Sequence, residues 1–269
     1  MNRGKYERRE NAPVKKRNLH SLALILALVL LIGGAIGGTL AWVIAEADPV
    51  VNTFVFGDIR IRLAETELDE NGDPVMDDRG NPEKTSQGNI YKLLPGGEYL
   101  KDPVVTVLED SEACWLFVKL EEIGGVTVLS GDGHTITYGF DDYLAYTVAD
   151  GWTQLYEASH FGAAGYEIPG IYYRYVDGDT ASAEISYEVL KDNKITVQPA
   201  VDRDRLNALD NNGQNTAAAE YPCLLVKAYA VQHHGFEPEV SQGAEAASAE
   251  QVNIAALKAW RAVEPQGGS

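Results

Sequence analysis

The body of the chain alternates apolar and polar residues in short runs, and that period of two predicts strands rather than helices. In "VVNTFVFGDIRIRLAETE" (50–67), Phe54 and Phe56 share one parity while Ile59, Ile61 and Leu63 share the other. The phase slips across Gly57-Asp58, as at a β-bulge or a bend between two strands. "ACWLFVKL" (113–120) is apolar on both parities, with Cys114, Leu116, Val118 and Leu120 on one side and Ala113, Trp115 and Phe117 on the other. A strand of that kind is buried on both faces. Further runs, "GVTVLS", "GHTITYGF", "YLAYTVA", "WTQLYEA", "GIYYRYV", "AEISYEVL", "KITVQPA" and "CLLVKAYAVQ", are punctuated by Gly, Asp and Asn. Many brief strands without long helices between them predict an all-β, antiparallel sandwich or barrel.

Two segments break this pattern. "VDRDRLNALDNNG" predicts a short helix capped by Asp202, with Leu206 and Leu209 inward and Asn-Asn-Gly as its stop. The Ala-rich stretch from about Ala244 to Val263 predicts a longer one, with Val252, Ala255, Ala256, Ala259 and Val263 as its apolar face and Pro265 beyond its end. "LDENGDPVMDDRGNPEKTSQGN" (68–89) is packed with turn residues and predicts a hairpin excursion or a loop. No internal repeat is found.

The first residues read differently. A basic head containing "KKR" (15–17) precedes a run without formal charge from Asn18 to Ala45. That run is long enough to cross a bilayer as a helix, with the basic head on the cytoplasmic side. A signal peptide has the same order of parts with an apolar region of roughly 7–15 residues, which Leu22–Ile32 fits before "GGAIGG" weakens the helix. Small residues follow at spacings suited to a peptidase, in Thr39-Leu40-Ala41 and Ala45-Glu46-Ala47. Either reading, cleaved leader or retained anchor, places the body outside the cytoplasm. The chain thus divides into 1–47, head and leader; 48–240, the β domain; and 241–269, the Ala-rich helix and tail.

Charge and chemistry narrow the function. The 269 residues carry a net −18, but the first twenty hold seven basic and two acidic side chains, so the remainder carries −23. So acidic a body repels nucleic acid, and no basic stripe interleaved with aromatics offsets it. Cys114 and Cys223 both lie in strand-like runs; they form either a disulfide or two small buried apolar groups. His233-His234 lacks the H-E-x-x-H spacing of a zinc protease, and His20, His134 and His160 are isolated. Ser159 beside His160 has no nucleophile-elbow context. Asp69, Asn71 and Asp73 resemble the first half of a calcium loop, but Gly72 comes fourth where an EF-hand needs its glycine sixth, which leaves a weak site or none. The pair Asp141-Asp142 reads as a solvated turn. No catalytic constellation emerges, and no enzyme activity, cofactor or metal is expected.

Several stretches together resemble a known family. "IGGTLAWVIAEADPVVNTFVFGDIRIRL" (36–63) is similar to the leader and first strand of exported proteins processed by a SipW-type signal peptidase, which read G-G-T-x-A, then N-T-F and G-x-[IV]-x-[IL]. "LLPGGEYLKDPVVTVLEDSEACWLFVKLEE", "ITVQPAVDRDRLNAL" and "AYAVQHHGF" look like later blocks of the same family, that of TasA and camelysin, surface and biofilm-matrix proteins of Gram-positive bacteria. The resemblance spans about Leu22 to Phe236. It implies a jelly-roll-like β-sandwich, cleavage within Ala41, Trp42, Ala45 and Ala47, and secretion to the extracellular matrix or cell surface. It also implies head-to-tail assembly with other copies, alongside other matrix components. The freed segment containing Val50, Val51, Phe54 and Phe56 would then be the strand donated to the next subunit, and membrane contact would be confined to the leader before cleavage. Here Trp42 is followed by Val43-Ile44-Ala45 where the family often has Thr-Asp. The rival expectations are a monomeric surface-binding module and a camelysin-like surface metalloprotease; the latter has no recognised zinc motif in this sequence.

Overall fold

A computed structural model describes residues 59–129, 134–162, 166–178, 183–210 and 216–264. The leader, the cleavage residues Ala41, Trp42, Ala45 and Ala47, and the segment with Val50, Val51, Phe54 and Phe56 lie outside the described residues. The first strands are β1 (Ile61–Thr66), β2 (Lys84–Thr85), β3 (Glu98–Leu100) and β4 (Val104–Val107). The long β5 (Cys114–Leu129) precedes β6 (Thr135–Tyr138), β7 (Leu144–Ala145) and β8 (Thr153–Tyr156). The set closes with β9 (Glu167–Val176), β10 (Ile185–Glu188), β11 (Lys194–Val197) and β12 (Thr216–Gln232). Every ladder among the described residues is antiparallel. The fold is all-β, with two α-helices among the described residues, Arg203–Asp210 and Ala249–Val263. No helix among them is long and apolar enough to cross a membrane.

The described strands form three sheets, in the orders β10-β4-β1-β2, β3-β11-β7 and β12-β5-β9-β8, with β6 alongside the far end of β5. The predicted double burial of 113–120 organises them. On one parity Leu116, Val118 and Leu120 meet Val105 and Val107 of β4, Ile195 and Val197 of β11, and Leu224 and Val226 of β12 in one core. On the other parity Trp115 and Phe117, with Tyr173 and Tyr229 of the neighbouring strands, meet Ala255, Ala256, Leu257, Ala259 and Trp260 of the second helix. Without that helix the outer face of the large sheet would expose an aromatic surface, so the Ala-rich segment belongs to the body of the fold.

Its start is set by a capping box: Ser248 Oγ accepts the Gln251 N–H (3.2 Å) and Gln251 Oε1 accepts the Ser248 N–H (2.8 Å). The helix therefore begins at Ala249, later than the Ala content alone indicates. The shorter helix is capped as expected, with Asp202 Oδ1 accepting the Arg205 N–H at 2.9 Å.

The runs "ACWLFVKLEE" and "GVTVLS" join into the single strand β5 because Gly124-Gly125 acts as a bend rather than a turn. Gly124 has φ +95°, and a Cβ there would lie 2.4 Å from the Tyr221 carbonyl oxygen. Gly125 has φ +141° and would meet the Tyr138 oxygen at 2.3 Å. Only glycine allows both strands to approach here, where β5 exchanges its partner β9 for β6 and where β12 bulges between Glu220 and Cys223.

Segment 68–89 is neither a simple hairpin nor an irregular loop. It contains an eight-residue repeat that hydrophobic periodicity does not show: Asp69-Glu70-Asn71-Gly72-Asp73, Asp77-Asp78-Arg79-Gly80-Asn81 and Thr85-Ser86-Gln87-Gly88-Asn89. Each unit turns through a glycine with φ between +79° and +88°. The lead side chain accepts the N–H two residues on: Asn71 to Asp69 (2.8 Å), Arg79 to Asp77 (2.8 Å) and Gln87 to Thr85 (3.0 Å). Glu67, Val75 and Glu83, also eight apart, close a ring in which Glu67 N–H donates to Glu83 O, Glu83 N–H to Val75 O, and Val75 N–H to Glu67 O, at 2.8–2.9 Å.

Candidate assembly site

An exposed strand edge is a row of backbone donors and acceptors awaiting a partner, so the sheet ends are where a fold of this kind makes or refuses contact. The five-stranded sheet ends in β12 on one side and β8 on the other. Among the described residues β12 forms a ladder only with β5. From Tyr221 to Gln232 it carries one formal charge, Lys227, and that is paired with Glu121 Oε2 of β5 at 2.7 Å. The Lys that often blunts an edge is thus tied inward. Pro222 and the bulge limit the regular stretch to Cys223–Gln232.

Beside β12 lies β1. Their Cα atoms come within 8 Å, yet they belong to different sheets and share no ladder. β1 pairs with β4 from Ile61 to Ala64, while β2 reaches only Glu65 and Thr66. Two incompletely paired edges therefore flank one side of the main core, with Ile61 and Leu63 partly buried along it.

The polar end of β1 is locked by charge. Lys101 Nζ and Glu65 Oε2 form an ion pair at 2.8 Å with both side chains less than a tenth exposed, and Asn89 Nδ2 donates to Glu65 Oε1 at 3.0 Å. Next to it Asp102 accepts the Thr66 N–H (2.7 Å) and hydroxyl (2.6 Å), and pairs with Lys84 at 3.0 Å. Burial opposes ionisation of Asp102, but these Thr66 donors and the Lys84 ammonium together hold its carboxyl below the usual carboxylate range. Burial, reinforced by the Glu65 charge, pushes the Tyr91 phenol well above its usual range.

At two other sheet edges, β8 and β10, side chains meet the backbone. Tyr156 of β8 donates its N–H to Asn253 Oδ1 (3.1 Å) and accepts Asn253 Nδ2–H at its carbonyl (3.0 Å). At β10 the Trp152 indole N–H caps the Glu188 carbonyl at 2.8 Å. The Arg174 guanidinium carbon sits 3.9 Å from the Tyr187 ring centroid and 5.1 Å from that of Trp152, bracing the two sheets at this side. These edge devices were not legible in the sequence, since each joins residues far apart in the chain. The only local signal was a polar Asn253 within an apolar helical stripe.

The chemical candidates of the sequence do not converge. Cys114 and Cys223 are free thiols, which corrects the possible bridge. They stand on adjacent strands, but Cys114 is opposite Gln232 and Cys223 opposite Ile123. Nine positions of strand, roughly 30 Å, separate them, far beyond disulfide reach. Burial pushes the Cys114 thiol up to about 12, while Cys223 is exposed at the bulged end of β12. The His233 ring rests against Tyr175 and Trp115 (centroids 4.7 and 5.5 Å), whereas exposed His234 meets Glu237 at 3.0 Å. The His160 ring stacks on Tyr166 at 3.6 Å. Asp69 spends its carboxylate on its own turn, accepting N–H groups from Asp73 and Asn71, which hold it below the usual range. Asp142 accepts the Gly139 N–H at 2.9 Å. Among the described residues no group of three or more His, Cys, Asp or Glu side chains is arranged to hold a metal ion. No family model, curated protein or solved structure matches the chain.

Proposed function

We propose that the chain is an exported structural subunit of an extracellular matrix or cell-surface fibre, working by assembly rather than catalysis. The leader directs export and is removed by a SipW-type peptidase within Ala41–Ala47. The freed segment from Val50 to Phe56 adds as a strand to the next copy. In this reading the three sheets form a jelly-roll-like sandwich with β12 as its acceptor edge.

The observation that carries the reading is the contrast among the edges: β12 is long, nearly uncharged and without an outer partner among the described residues, while β8 and β10 are capped. Main-chain pairing along such an edge supplies affinity, and alternate side chains supply register. A donor strand on one side and an acceptor on another make a head-to-tail contact that does not close, hence a filament. The seven residues Val50–Phe56 span roughly 23 Å when extended, and the ten of Cys223–Gln232 roughly 33 Å, so the donor fits within the acceptor.

The test combines N-terminal sequencing of protein recovered outside the cell with electron microscopy of the purified mature chain. A new N-terminus within residues 42–48 and unbranched fibres are expected. Leu225→Lys, at a half-buried position on β12, should leave the fold intact and abolish the fibres. Mature protein that stays monomeric at high concentration would defeat the reading and favour a monomeric surface-binding module.

A further inference from the structure

The side of the large sheet that refuses contact is as specific as the side that invites it. Asn253 is fully buried on a helix whose other buried residues, Ala255, Ala256, Leu257, Ala259 and Trp260, are apolar or aromatic. Asn is a poor helix former, and a buried carboxamide loses its water, so an apolar residue of similar size would suit this position better on packing grounds alone. What Asn253 provides instead is one donor and one acceptor, presented to the N–H and C=O of Tyr156 at 3.0–3.1 Å. This is the pattern that a neighbouring strand would offer. β8 itself, Thr153-Gln154-Leu155-Tyr156, has no charge and no proline to blunt it. The Arg261–Glu157 pair at 2.9 Å holds the helix over the same end of the strand.

We infer that Asn253 is an edge guard: its carboxamide occupies the N–H and C=O of Tyr156 at the end of β8 and thereby confines addition of a second copy's extended segment to β12. The inference rests on the assembly reading above and adds a direction to it. With one edge open and the other occupied, copies join in single file; with both open, they also join side by side.

The experiment uses the full mature chain carrying Asn253→Leu, which keeps side-chain bulk and leaves both Tyr156 groups unpaired. Ser248→Ala serves as a control that weakens the same helix at its cap without touching β8. Hydrogen exchange at the Tyr156 amide should become about tenfold faster in N253L. Its assemblies should thicken laterally, and Leu225→Lys should no longer abolish association when added to it. The S248A control should keep single-file fibres. If Tyr156 exchanges freely in N253L but fibre width and the dependence on Leu225 are unchanged, the guard is overturned and the strand-exchange reading survives. If the wild type stays monomeric while N253L associates, Asn253 still blocks β8, but the confinement to β12 and the fibre reading both fall. If neither associates, both fall.

Discussion

The two ends of the five-stranded sheet meet one physical problem in opposite ways. At β8 the unpaired backbone groups of Tyr156 are matched by a side-chain amide, under a helix that also covers Trp115, Phe117 and Tyr173. At β12 the single Lys is paired inward, and no partner strand lies outside among the described residues. Length alone does not explain the difference, because the shorter edge is the one that is capped. The difference shows that an exposed edge is a property of what is placed over it, and that sequence separation hides the placement: Asn253 and Tyr156 lie 97 residues apart.

The largest effect should come from removing the anchor of the helix that also caps β8. Trp260 is fully buried against Phe117 and Tyr229. Trp260→Ala should cost about 3–5 kcal/mol, read from the midpoint of urea unfolding, and should expose the aromatic face to a hydrophobic dye. A somewhat smaller loss is expected at the polar end of β1. Lys101→Met leaves Glu65 buried without its cation and should cost about 3 kcal/mol, at the low end for a broken buried pair because Asn89 still donates to Glu65. The double change with Glu65→Gln should recover much of that loss.

The smallest effect concerns pH. Because the folded pKa of Asp102 is depressed, its stabilisation is fully present above the unfolded value near 3.9 and is lost as pH falls through the lower folded value. Asp102→Asn should therefore flatten the acid limb of a stability–pH curve below about pH 4, while leaving unfolding of the β8 side unchanged.

Much of the architecture was legible because parity is a local property. The two-sided burial of Cys114–Leu120 followed from apolar residues on both faces, and the Asp202 cap from residues three positions apart. What depends on register was not legible. Cys114 and Cys223 do lie on paired strands, but pairing does not reveal which residues stand opposite one another. Gly124-Gly125 reads as a turn until the close approach of Tyr138 and Tyr221 makes it a bend within one strand. In the second helix the expected face is buried at Ala255, Ala256 and Ala259 and partly buried at Val252 and Val263. The stripe also runs through Asn253, Leu257 and Trp260, which the apolar count did not single out. A search for apolar periodicity weights a polar Asn against that face, although here it is as fully buried as Ala256 and Ala259.

The eight-residue repeat in 69–89 carries a consequence for how the protein can vary. Repeated units ordinarily tolerate gain or loss of a copy, since each touches only its neighbours. Here the residues preceding the units, Glu67, Val75 and Glu83, each give one hydrogen bond and receive one in a closed circuit. Gain or loss of a unit would break at least one of these three bonds and require the circuit to re-form with different members. Closure therefore makes a change of copy number costlier than substitution of the exposed turn residues beside the glycines.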